Sequence, residues 1–123
     1  MTKKNALADS TIIIFAHGIF FPHQHHDYID YQFDRASGVR IITVFLYLND
    51  VEAGGGTNFP DLGITVMPKR GRVVIWPSVL DQAPNHQEPR TYHQALPVEK
   101  GFKFGANAWL HMRDYKTPSL VNC

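Results

Sequence analysis

Glycine and proline turns break this chain into many short apolar segments, none of which reads as a long amphipathic helix. Nine glycines and eight prolines are spread through 123 residues, and the apolar residues between them fall into short β-branched and aromatic runs. No heptad, internal repeat or amphipathic helical stretch of useful length is present, which points to a sandwich or jelly-roll barrel. Val39 to Leu48 (VRIITVFLYL) is the strongest strand signal, and Thr11 to Phe21 has the composition of a buried strand, with a helix as the alternative. Ile64 to Met67 and Arg72 to Trp76 flank Pro68-Lys69-Arg70-Gly71, which supplies hairpin-turn chemistry. Tyr92 to Val98 and Phe102 to Leu110 flank Glu99-Lys100-Gly101, a three-residue loop of the type that ends in a positive-φ glycine. Asn49 to Pro60, with Gly54, Gly55 and Gly56, is expected to be irregular. Ser78 to Arg90 is expected to be a long surface loop.

The remaining composition narrows the function classes. Twelve Lys and Arg against eleven Asp and Glu give a formal net charge of +1, without the basic face of a nucleic-acid binder. No run reaches the ~18–20 apolar residues that span a bilayer. Thr11 to Phe21 follows Lys3 and Lys4 but lacks the layout of a secretory signal, because Asp9 and His17 interrupt it and no small-x-small site follows. The single cysteine, Cys123, leaves no intramolecular disulfide and no Cys-based metal site. A metal held by this chain therefore rests on imidazole and carboxylate, and seven histidines are available. The triple glycine does not form a phosphate loop, since no Lys-Ser/Thr pair and no helix follow it.

Three pieces carry chemistry. His25 and Asp27, two residues apart on an extended segment, share a face and can grip one ion from one side. His93, 66 residues after Asp27, opens an apolar strand and would complete two imidazoles and a carboxylate. That facial set leaves coordination positions open and suits non-haem ferrous iron. If Glu99-Lys100-Gly101 closes a hairpin, Pro97 lies opposite Lys103, and His93 faces the same side as Lys103 about 13 Å away. A five-carbon dicarboxylate could bridge that gap, one end on the metal and the other on the ammonium.

From His25 to about Pro118 the chain resembles the catalytic domain of the prolyl 4-hydroxylase family of Fe(II)/2-oxoglutarate dioxygenases. The ordered series that carries the resemblance begins with His25-x-Asp27, Arg40-x-x-Thr43 and Tyr47-Leu48-Asn49-Asp50-Val51. It continues with Gly54-Gly55-x-Thr57-x-Phe59-Pro60 and Val66-x-Pro68-x-x-Gly71, and ends with His93, Pro97-Val98, Gly101-x-Lys103 and Trp109. The resemblance implies a mainly all-β fold, a double-stranded β-helix or jelly-roll barrel that is incomplete at its N-terminus. It implies His25, Asp27 and His93 as iron ligands, Lys103 as partner of the distal 2-oxoglutarate carboxylate, and Thr57 as a second holder of that carboxylate. Arg40 and Trp109 match positions near the peptide substrate. By residue type alone, Arg40 also reads as a strand-edge arginine and Trp109 as core. The implied reaction is hydroxylation of a peptidyl proline, as in procollagen-proline 4-dioxygenases, coupled to decarboxylation of 2-oxoglutarate to succinate. Its implied requirements are Fe(II), 2-oxoglutarate, O₂ and L-ascorbate. The endoplasmic reticulum is the compartment by family analogy. A related dioxygenase with another substrate, a truncated non-catalytic jelly roll, and a cupin-type metal enzyme are the rival readings.

Residues 1–24 carry none of the family's pattern, and Ala16 stands where the family places a tyrosine nine residues before the first iron histidine. Gly56 replaces an acidic residue common in the family's glycine loop. The expected organisation is an unmatched leader over 1–24, disordered or joined from elsewhere, a dioxygenase core over 25–118 and a tail over 119–123. Exposed apolar sheet surface and open strand edges are expected with it.

Overall fold

A computed structural model of the chain describes residues 10–17, 23–25, 27–28 and 34–114. Within these residues the chain runs through β1 (Ser10–His17), β2 (His23–His25), β3 (Arg40–Tyr47), β4 (Ala53–Gly54), β5 (Thr57–Phe59) and β6 (Ile64–Val66). It continues through β7 (Val73–Pro77), β8 (Val79–Leu80), β9 (Ala83–Gln87), β10 (His93–Ala95), β11 (Val98–Lys100) and β12 (Lys103–His111). Helical structure among the described residues is confined to two 3₁₀ turns, Pro60–Leu62 and Pro89–Thr91.

Two four-stranded antiparallel sheets form the body, a major sheet in the order β1-β12-β3-β7 and a minor sheet in the order β2-β10-β5-β6. β3 earns its central place by strict alternation: Thr43, Phe45 and Tyr47 are buried while their neighbours are partly open, the period-2 signature of a strand with one face on a core. From the major sheet Phe45, Tyr47 and Trp76, and from the minor sheet Phe59, make one aromatic cluster. Phe45 meets Tyr47 edge-on at 4.7 Å between ring centroids, and Phe59 meets Trp76 edge-on at 5.3 Å across the sheets. Such pairs add roughly 0.5–1.5 kcal/mol each beyond the area they bury. On the other face of the major sheet Val73, Ile75 and Phe104 are exposed.

Ser10–His17 overlaps the strand expected over Thr11 to Phe21 and is bonded along its length to β12, from Ser10 opposite Leu110 to His17 opposite Lys103. The rest of the expected strand to Phe21, the histidine at 26, residues 1–9 and the tail from 115 lie outside the described residues. The segments around Pro68–Gly71 do not pair with each other: β6 joins β5 in the minor sheet and β7 joins β3 in the major one. That turn instead carries the chain between sheets, held by Gly71 N–H donating to the Tyr47 carbonyl at 2.9 Å. The loop expected over Ser78–Arg90 contains the β8–β9 hairpin, and the stretch expected to be irregular contains β4 and β5.

The most consequential difference concerns Glu99-Lys100-Gly101. Gly101 takes the expected positive φ of 88°, but no β11–β12 hairpin forms. β11 pairs with β4, Val98 opposite Gly54 and Lys100 opposite Ala53, and Lys103 opens β12 in the opposite sheet from His93. Gly54 makes this possible. Its φ is 74°, and a Cβ there would lie 2.3 Å from the Pro97 carbonyl oxygen and 2.8 Å from the Glu99 nitrogen. A Gly54→Ala variant combines left-handed strain with a backbone clash, so a loss of at least about 2 kcal/mol and a fall in Tm on the order of 10 °C are expected. Thermal melting followed by circular dichroism checks this, and a shift of a degree or two would contradict it.

Candidate active site

His93 sits where a short 3₁₀ turn delivers the chain into β10. Glu88 caps that turn by accepting from the Arg90 backbone N–H at 3.1 Å, and it grips the same residue's guanidinium at 2.8 and 2.6 Å. These hydrogen bonds pull the Glu88 carboxyl down to about 2. Thr91 ties the turn to β7 by donating from its hydroxyl to the Pro77 carbonyl at 2.8 Å. The Thr91 carbonyl in turn stands 2.9 Å from His93 Nδ1. With Nδ1–H donating there, Nε2 is the unprotonated ring nitrogen, which is the tautomer a metal requires.

That nitrogen lies 3.8 Å from Asp27 Oδ2, and both side chains are about nine-tenths buried (11% and 9% exposed). His25 occupies the β2 position directly opposite His93 in the β2–β10 register, a place that shares its sheet face with His93. Among the residues whose side chains are described, no three metal-ligating groups gather; the third member of the expected set enters through the register of β2. The donors present, an imidazole nitrogen and a carboxylate oxygen, suit ferrous iron.

Asp27 is held from the major sheet. Its Oδ2 accepts from the Thr43 hydroxyl at 2.8 Å and from the Trp76 indole N–H at 2.9 Å, and its Oδ1 accepts from the Trp109 indole N–H at 3.2 Å. The other face of Trp109's role is Arg40, whose guanidinium carbon lies 3.8 Å from the ring centroid.

Lys103 marks a second pole. It is 4% exposed, and its Nζ lies 5.4 and 5.3 Å from the ring centroids of Phe45 and Tyr47. No carboxylate among the described residues forms an ion pair with it. Burial alone pushes its pKa down to about 8. Tyr47 connects it to Thr57: the phenol donates to the Val66 carbonyl at 3.0 Å and meets the Thr57 hydroxyl at 2.6 Å. Desolvation raises the Tyr47 pKa, so the phenol stays neutral and able to donate.

Thus the fold brings Asp27 and His93 together, sets His25 opposite in register, and groups Lys103 with Thr57 around Tyr47. Tyr47, Thr43 and Trp76 belong to the site although sequence reasoning gave them no role. The inward parity of Thr43 with Tyr47 along β3 was the available signal for two of them.

The profile of the 2OG-Fe(II) oxygenase superfamily matches residues 12–111. The chain is 39% identical over 92 residues to prolyl 4-hydroxylase subunit alpha-2 of Gallus gallus, covering 72% of this chain and 17% of the relative. It is 39% identical over 88 residues to prolyl 4-hydroxylase subunit alpha-1 of Homo sapiens, covering 70% of this chain and 16% of the relative. Its fold superimposes on the viral collagen prolyl hydroxylase of Paramecium Bursaria Chlorella virus-1, in its 2OG complex, with a TM-score of 0.72 and 25% identity. That match covers 89% of this chain and 64% of the viral one. The chain therefore spans about a sixth of the length of these curated relatives.

Proposed function

The chain belongs to the 2OG-Fe(II) oxygenase superfamily, and from that footing we propose that it is the iron- and 2-oxoglutarate-binding core of a dioxygenase that hydroxylates a peptidyl proline. The approach of His93 to within 3.8 Å of Asp27, opposite His25 in register, carries this reading. Those three residues would hold the ferrous ion. When bound with 2-oxoglutarate and O₂, the ion supplies an oxidant able to hydroxylate an unactivated C–H bond, with succinate and CO₂ as coproducts and ascorbate as the reductant that keeps it ferrous.

The chain's own residues do the rest. Lys103 presents a buried cation to the distal carboxylate of 2-oxoglutarate, and Tyr47 and Thr57 offer hydroxyls beside it. The Thr91 carbonyl fixes the His93 tautomer. Arg40, stacked on Trp109, would meet the peptide. The proline substrate follows from the relatives, which are prolyl 4-hydroxylase subunits and a collagen prolyl hydroxylase. No described helix is long and apolar enough to cross a membrane.

Succinate release measured with Fe(II), 2-oxoglutarate and a proline-rich peptide tests the proposal. Peptide-stimulated succinate together with hydroxyproline in the peptide is expected; succinate release unaffected by the peptide would overturn the substrate assignment. A pH dependence follows from Lys103. The free ammonium deprotonates near pH 8, and only the protonated form pairs with a carboxylate. The affinity for 2-oxoglutarate should be flat below that pH and fall about tenfold per unit above it. Anaerobic titration of 2-oxoglutarate between pH 7 and 9.5 checks this, and a pH-independent affinity would contradict it.

A further inference from the structure

The three donors that hold Asp27 come from one rung of the major sheet. In the strand registers Trp109 of β12 stands opposite Thr43 of β3, and Thr43 stands opposite Trp76 of β7. All three side chains point inward onto the same carboxylate, at 2.8, 2.9 and 3.2 Å. An ionised carboxylate offers about four acceptor positions and donates nothing. Oδ2 uses both of its positions, on Thr43 and Trp76, and Oδ1 uses one, on Trp109. Among the described donors, the remaining capacity is a single lone pair on Oδ1, so a cation would bind through Oδ1 and not through Oδ2, the oxygen 3.8 Å from His93 Nε2.

We propose that this Trp109–Thr43–Trp76 rung is a positioning device that fixes the rotation of the Asp27 carboxylate and restricts it to binding a cation through one oxygen. Two indoles and a hydroxyl suit this task, because each donates one hydrogen bond without bringing a competing charge. A charged donor such as arginine would neutralise the carboxylate and weaken it as a ligand. The indoles are also immobilised by packing, Trp76 against Phe59 and His93 at 5.3 and 4.9 Å and Trp109 under Arg40. The indoles are therefore held by packing as well as by the carboxylate. Restriction to one oxygen keeps a coordination position open that a two-oxygen aspartate would occupy.

The inference rests on Asp27 being a metal ligand, so the test separates the two. Co²⁺ is titrated into the metal-free chain without 2-oxoglutarate, and binding is followed by visible absorption and by calorimetry. Thr43→Val keeps the shape of the side chain and removes the hydroxyl, and Trp109→Phe removes one indole donor. Each should weaken Co²⁺ binding about 10- to 100-fold and change the cobalt spectrum, with Tm of the metal-free protein falling for Thr43→Val only by the several degrees that one lost buried hydrogen bond costs. Thr43→Ser should restore affinity and spectrum. Trp76→Phe removes the third donor but perturbs the aromatic cluster, so Thr43→Val is the decisive variant. If Asp27→Ala loses Co²⁺ binding while Thr43→Val binds it as the unmodified chain does, the rung is not a positioning device. If Asp27→Ala itself binds Co²⁺ normally, the metal reading and the rung fall together.

Discussion

Replacing Lys103 by methionine should make the protein more stable and nearly unable to bind 2-oxoglutarate. The ammonium is 4% exposed and has no ion-pair partner among the described carboxylates, so the folded chain holds a desolvated cation. Its pKa falls from 10.5 to about 8. The unfolded chain therefore binds the proton more tightly than the folded one, and the protonated lysine destabilises the fold by up to about 3 kcal/mol below pH 8. That penalty shrinks as pH rises from about 8 towards 10.5 and is gone above it. Lys103→Met should thus raise Tm at pH 7, and its advantage should fade by pH 10. Losing the buried charge partner should weaken 2-oxoglutarate on the order of 10²–10³-fold. Melting curves at the two pH values and anaerobic binding titrations measure both effects. A variant less stable than the parent at pH 7, or one that binds 2-oxoglutarate normally, would contradict the role given to Lys103.

His93→Ala should act on the other pole. Changes to groups that merely support a metal ligand cost about 10–100-fold, so removing the ligand itself should reduce turnover on the order of 10³-fold or more. Metal affinity should fall with it, whereas Lys103→Met should leave metal affinity close to that of the parent. The comparison is made by Fe(II) titration and succinate assay on the two variants. Equal loss of metal affinity in both would show that the two residues do not serve separate ends of one site.

How far the sequence alone reached depended on whether a feature was local. Alternation along Arg40–Tyr47 made β3 legible, and the spacing of Gly101 foretold its left-handed turn. Which strand pairs with which is a non-local matter. Glu99-Lys100-Gly101 reads equally well as a hairpin loop or as a crossing between sheets, and the choice depends on Gly54, whose missing Cβ lets β4 take β11 as its partner. The hairpin assumption would have put His93 and Lys103 on one sheet face; the fold sets them on opposing sheets, with the aromatic cluster between those sheets. The rung that holds Asp27 was hidden for the same reason. Thr43, Trp76 and Trp109 are far apart along the chain and become neighbours only through the β12–β3–β7 register. β1 was legible as a strand from its apolar, β-branched composition, whereas its place beside β12 was not, because that pairing is non-local.

Anaerobic addition of Fe(II) and then 2-oxoglutarate to the chain, followed by visible absorption, tests most directly whether one metal–cosubstrate site exists. A charge-transfer band that saturates at one equivalent of each, and is missing in both Asp27→Ala and His93→Ala, is the expected result. A chain that binds neither component, or a band that persists in those variants, would contradict the site.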